Sequence, residues 1–460
     1  MIIAMVYYLS SFLISLINPF WGLVGFVCSL ILRFQDHYPA LTTYKPFSFL
    51  FFGMILGCYL NRSALAKGLW LQDKLIFSLF IISVLGLSVL APTRLIAESY
   101  HFICSISLYF FASRILQTPN QFLILFTCMA ASITFLGFQA VQDVMLFADE
   151  SEYLDPRSGR WQGLGYYANS NEFAQLMIST IPFLFVLLVI KVNSLLKLLA
   201  LAMMSLMLFV MVQCASRTVM VTLALIMITL FMLRGQGNIM KKVVIGATIS
   251  VFLLILLTFM PESLQERMGT VLNASEDESF QGRTRSWGYG FDMLSWYPFT
   301  GVGKGQWMEY HGLMPHNSYV QIMAELGIFG IFVFLWILKL CYQQFSILFK
   351  SRQNNLVETP LVFSPNTDFF TINTITASHA TDSGTAVEPK IKSNNSLKRA
   401  VSLAVFTTFS AWLFYIFLGN QGYSVWTYFY IGLCTALSNF SPKIVNKEEI
   451  HFKSNLDEVR

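Results

Sequence analysis

Charge is scarce in this chain of 460 residues: Asp, Glu, Lys and Arg together make up 12 % of it. A soluble domain carries about twice that share. With 55 % hydrophobic residues and 43 phenylalanines, the chain has more apolar surface than a water-soluble globule can hide. Cysteine is equally thin on pattern. Cys28, Cys58, Cys104, Cys128, Cys214, Cys341 and Cys434 lie in or beside apolar runs with no CxxC pair. That excludes a disulfide scaffold and leaves them as small hydrophobes within helices. The 6 histidines are scattered, so no zinc-ligand spacing exists. No GxSxG, Walker or HExxH motif is present. No basic run of the nucleic-acid type occurs, and no repeat of a solenoid is visible. Alternating apolar and polar residues are missing too, which excludes a transmembrane barrel. The opening MIIAMVYYLSSF has no basic flank and no small-residue cleavage site, so it reads as a retained first helix.

What is present is a series of continuous apolar runs, each near the ~20 residues that cross a bilayer as a helix. Twelve qualify: roughly 5–33, 46–60, 74–91, 97–114, 121–147, 172–190, 196–213, 218–233, 243–260, 318–342, 400–418 and 422–440. The first is broken by Asn18-Pro19 and reads either as one kinked span or as two short ones. The expected fold class is an all-α polytopic membrane protein. An even number of spans places both ends on the inner side. About two thirds of the 30 Lys and Arg residues then fall in inner segments, as the positive-inside bias requires.

The polar stretches divide the chain. Residues 1–147 are N-terminal spans; 148–342 hold two outer loops, 148–171 and the large 261–317; 343–397 are rich in Ser, Thr and Asn; 398–460 hold the last spans and a basic tail. The 343–397 composition cannot bury enough surface to fold alone, and a disordered cytoplasmic linker is expected there.

Chemistry concentrates in the outer loops, against the charge bias. Arg157 and Arg160 sit in DPRSGRWQG, Arg217 in CASRTVMV, and Arg283 and Arg285 in QGRTRSWGYG. A guanidinium fork matches phosphate oxygens, so the set suits an anionic headgroup such as a lipid diphosphate. Each one taken singly also fits an interfacial anchor or a salt bridge. His316, in LMPHNSYVQ, directly precedes a span. A neutral imidazole there can take a proton near neutral pH, although a lone interfacial histidine is equally a satisfied polar residue. Gly301, Gly303 and Gly305 in YPFTGVGKGQW follow no strand, so tight turns packing on helix ends explain them better than nucleotide binding. The Trp and Tyr residues around them suit the membrane-interface belt or a sugar platform. The acidic runs Glu150/Glu152 and Glu276–Glu278 lie in solvated loop sequence, and neither a metal nor a cofactor is expected.

The stretch from Gly282-Arg283 through Pro298, Gly301-Val302-Gly303 and His316-Asn317 to Glu325-Leu326-Gly327 resembles the signature region of the O-antigen ligase and polymerase superfamily. Two upstream features are similar as well: Ser216-Arg217 at a helix head, and Arg160…Gly163…Asn169-Ser170-Asn171, where Ser170 replaces the family's proline. The resemblance implies a GT-C-like helical fold in the bacterial inner membrane, about 12 spans, and an active site on a large periplasmic loop. It implies a metal-independent, inverting glycosyltransferase. The donor would be a glycan on undecaprenyl diphosphate, and the acceptor lipid A–core or a growing glycan. Arg217 and Arg283 would bind the diphosphate and His316 would act as base, with Arg157, Arg160, Arg285, Asn171 and Asn317 as substrate-binding candidates. Ligase, polymerase and protein O-oligosaccharyltransferase share this chemistry; the ligase is favoured on loop architecture. A polysaccharide or lipid transporter is the reading from a different class. It is disfavoured because the mid-span positions are nearly free of charge.

Overall fold

The computed structural model describes residues 1–147, 150–190, 192–234, 278–350 and 388–439. Fourteen α-helices of nine or more residues carry the described chain: α1 (Ile2–Ile17), α2 (Pro19–Leu32), α3 (Pro46–Leu60), α4 (Leu71–Leu90), α5 (Leu95–Ile115), α6 (Pro119–Phe147), α7 (Ser170–Ile178), α8 (Ile181–Val189), α9 (Ser194–Gln213), α10 (Arg217–Arg234), α11 (Glu278–Trp296), α12 (Ser318–Lys350), α13 (Glu388–Phe417) and α14 (Val425–Ala436). No sheet occurs among the described residues; one isolated bridge joins Leu154 to Trp161. The protein is an all-α polytopic membrane protein. Eight described stretches are long and apolar enough to cross a membrane, with Ile2–Ile17 and Arg217–Phe231 as shorter apolar helices. The expected span at 243–260 and the acidic Glu276-Asp277 pair lie outside the described residues. Most of the 343–397 linker does too; its ends continue α12 to Lys350 and open α13 at Glu388.

Residues 5–33 form two helices, and the second doubles back on the first. Asn18 is extended, Pro19 begins α2, and the Asn18 side chain accepts from the Phe20 N–H at 3.0 Å. This is an N-cap followed by proline at the first helical position, where a missing N–H does no harm. Small residues let the pair approach: Gly22 faces Ser15, and Gly25 faces Ser11. Tyr8 donates to Gln35 Oε1 at 3.0 Å, so α1 runs back beside the end of α2. At the opposite face, Asn61 donates to the Leu16 carbonyl, and Asn439 to those of Ser113 and Leu116.

The outer loops share one face. The backbone N–H of Tyr166 donates to Asp36 at 3.1 Å, Tyr166 Oη donates to Gln421 at 3.2 Å, and the Gln421 N–H donates to Ser318 Oγ at 2.9 Å. Some outward basic residues serve this scaffold. Arg33 pairs with Asp36 at 2.6 Å, Lys304 with Glu98 at 2.6 Å, and Arg94 with Glu309.

Helix α12 opens at Gly327 (φ 67°). There the Ile328 N–H bonds the Pro298 carbonyl at 2.9 Å instead of the Ala324 carbonyl four residues back. The released Ala324 carbonyl accepts from Val302 at 2.9 Å, and that of Glu325 from Gly303 at 3.0 Å. The fully buried Glu325 carboxylate accepts from the N–H groups of Gly305 (2.9 Å) and Trp307 (3.1 Å). The glycine-rich loop is thus stitched into a broken helix, with every exchanged backbone group satisfied.

Candidate functional site

Two basic clusters form on the face that these loops share. The first gathers Arg160, Asn171 and Ser216. Arg160 Nε donates to the Cys214 carbonyl at 2.9 Å and Nη2 to Asn171 Oδ1 at 3.1 Å; Ser216 Oγ donates to the same oxygen at 2.8 Å. Local structure explains the positions. Asn169 caps α7 by accepting from the Asn171 N–H at 2.9 Å, and Ser170 is the first helical residue. Serine and proline are both tolerated there, because that N–H has no helical partner. Ala215 takes a left-handed turn (φ 48°), after which Arg217 begins α10. The segments 160–171 and 214–217, far apart in sequence, are therefore one unit.

The second cluster is built around His316. Trp287 Nε1 donates to the Pro315 carbonyl at 2.7 Å. On the other side Asn317, 2 % exposed, caps α12 by accepting from the N–H groups of Tyr319 (3.0 Å) and Val320 (3.1 Å). Ser318 Oγ donates to the Gly419 carbonyl at 2.7 Å. Between these anchors His316 is held at φ 47°, a conformation that costs a non-glycine residue roughly 1–2 kcal/mol. Strain held by such anchoring is a common mark of functional positions. The ring keeps an exposed edge, but the protein packed round it, and then the positive charge of Arg283, hold its pKa below the ordinary 6.5. The base form therefore prevails at neutral pH. Arg283 lies half-buried on α11, also within electrostatic reach of Tyr415.

The remaining candidates are placed differently. Arg285 is exposed on α11. Arg157 is exposed in a turn where its backbone N–H, not its guanidinium, bonds Asp155 at 3.1 Å. The Ser158 hydroxyl and that N–H hold the Asp155 carboxyl below its usual range. Asn317 uses its side-chain oxygen on the helix end.

Reading the residues did not single out the link between the two clusters. Glu172, next to Asn171, accepts from Gln421 Nε2 at 2.9 Å, and Gln421 bonds Ser318, two residues beyond His316. The available signals were a carboxylate at the head of an apolar run and the polar GNQGY between the last two apolar runs.

Comparison with known families meets this geometry directly: residues 202–335 match the family model described as O-antigen ligase. This stretch is thus similar to O-antigen ligases. It includes Arg217, Arg283, His316 and the Glu325-Leu326-Gly327 break that holds the loop, while Arg160 and Asn171 precede it and pack on its start. No curated protein matches the chain. The match supports a membrane glycosyltransferase of the ligase and polymerase type.

Proposed function

We propose that the protein transfers a glycan from undecaprenyl diphosphate to an acceptor hydroxyl at the periplasmic face of the bacterial inner membrane, as an O-antigen ligase acting on lipid A–core. The observation that carries this reading is the strained His316 turn, anchored on both sides and within electrostatic range of Arg283 on α11, in the stretch that matches the O-antigen ligase model.

The chemistry follows from charge. His316 takes the proton of the acceptor hydroxyl, and that oxygen attacks the anomeric carbon. The bond from this carbon to the diphosphate oxygen breaks, and the lipid diphosphate leaves with the electron pair. A single displacement from the far side inverts the anomeric configuration. Negative charge grows on the leaving group, and preorganised Arg217 and Arg283 stabilise it there. Arg160 and Asn171 hold the turn that presents Arg217.

A neutral base makes activity fall as pH drops through the His316 pKa. Arg283→Ala removes a cause of its depression, so the acid limb of the kcat/KM profile is expected to move to higher pH, with weaker use of the donor. Arg283→Lys should leave the limb in place; a limb unmoved in Arg283→Ala would separate the two groups. The function itself is tested by deleting the gene and resolving the surface polysaccharide on a gel. Core without polymer, with lipid-linked polymer accumulating, is the expected ligase outcome. A single repeat unit on the core would mark a polymerase, and an unchanged pattern would reject both.

A further inference from the structure

A cavity sits between the two basic clusters. Glu172, Gln175, Trp412, Tyr415, Gln421 and Trp426 contribute to its lining, and Tyr166, 40 % exposed, stands at its mouth. It encloses about 400 Å³ of empty space with the open mouth included. Room for water-sized groups inside is about 30 Å³, where one water needs roughly 10–15 Å³. The interior therefore fits two hydroxyl-sized groups or a hydroxymethyl arm, while a whole ring stays in the mouth.

One lining residue carries a polar atom that lacks what its chemistry requires. Gln175 is 4 % exposed, and its Oε1 has no hydrogen-bond partner. A buried, unpaired amide oxygen costs about 1–3 kcal/mol, and it asks for a donor from outside the chain. The lining contains no lysine or arginine to hold a diphosphate, its one carboxyl group is Glu172, and the Arg33 guanidinium over the Tyr166 ring (4.9 Å) is already paired with Asp36. An isoprenoid chain would leave the Gln175 carbonyl unpaired. A sugar supplies what both features need, with hydroxyl donors for Gln175 and an apolar ring face for the exposed tyrosine.

We propose that this cavity is a saccharide subsite. It takes an uncharged, hydroxylated ring at Tyr166 whose hydroxymethyl arm enters and donates to Gln175 Oε1. The choice of ligand rests on the glycan-transfer reading. The position suits it, because Glu172 adjoins Asn171 of one cluster and Gln421 bonds the residue two beyond His316 of the other.

The test uses the full chain in detergent, titrated with neutral hexoses and N-acetylhexosamines and followed by saturation-transfer NMR. Gln175→Met keeps the length and removes the amide. A structural glutamine would leave sugar binding unaltered on replacement, whereas the subsite predicts at least a fivefold weaker signal with an unchanged or higher unfolding midpoint. Tyr166→Ala, at the exposed mouth, should weaken the signal similarly and serves if the core variant does not fold. Absence of saturation transfer from the wild type, or equal transfer in both variants, overturns the proposal. In steady-state transfer, Gln175→Met should raise KM about tenfold for one glycan substrate, donor or acceptor, and so identify the source; KM unchanged for both overturns it. His316→Ala should bind sugar normally. Full glycan transfer in His316→Ala would reject the base while leaving the subsite standing.

Discussion

His316→Ala is expected to lower glycan transfer by about 10²–10⁴-fold, the range that a positioned general base supplies, without loss of membrane insertion. Every neighbouring contact that holds residue 316 belongs to another residue: Trp287 grips the Pro315 carbonyl, Asn317 caps α12, and Ser318 bonds Gly419. Alanine leaves all three in place. It keeps the strained φ of 47° and removes only the imidazole. The variant therefore separates chemistry from folding more cleanly than a change in Arg217 or Arg283, each of which makes interactions of its own. Transfer in isolated membranes, with protein level monitored in parallel, is the measurement. Ordinary polysaccharide display in cells carrying the variant would remove His316 from the role of base.

Gly301→Ala should undock the glycine-rich loop. A Cβ at this position would lie 2.2 Å from the Glu325 carbonyl carbon and 2.4 Å from the Leu326 nitrogen. Those are backbone atoms that cannot rotate away. The residue also sits at φ 63°, in the left-handed region. The backbone term alone is about 1–2 kcal/mol, and overpacking adds roughly 1–3 kcal/mol. The hydrogen bonds from Val302 and Gly303 to the opened turn of α12 depend on this approach. The expected result is faster proteolysis within 297–313 and loss of transfer, because the same loop leads into Pro315 and His316. Wild-type protease resistance in Gly301→Ala would show that the loop does not need the contact.

The motif residues were legible in the sequence, but their reasons were not. The Gly-Val-Gly and Glu-Leu-Gly elements stand more than twenty residues apart. Only the fold shows that they are two halves of one joint, with Gly301 facing the backbone of Glu325 and Gly327 facing that of Phe299. Glu325 would pass in sequence for an isolated charge within a span, yet it closes the joint by accepting two loop N–H groups. The break at Asn18-Pro19 was visible, but a kink and a hairpin have the same local signature. Packing of Gly22 and Gly25 on Ser15 and Ser11 decided between them.

Composition and run length were enough to establish a polytopic helical membrane protein, since apolar segments of bilayer length have few alternatives once backbone groups must be satisfied in lipid. They also placed the arginines and His316 in the polar stretches that flank the apolar runs. Which of those arginines act together was a tertiary matter. Arg160 joins Asn171, which also accepts from Ser216, and Arg283 lies within electrostatic range of His316, while Arg157 and Arg285 remain at the surface. Guanidinium groups look alike in a sequence. Their fields fall off over a few ångströms, and only the packing of α7, α10, α11 and α12 brings particular ones within that range.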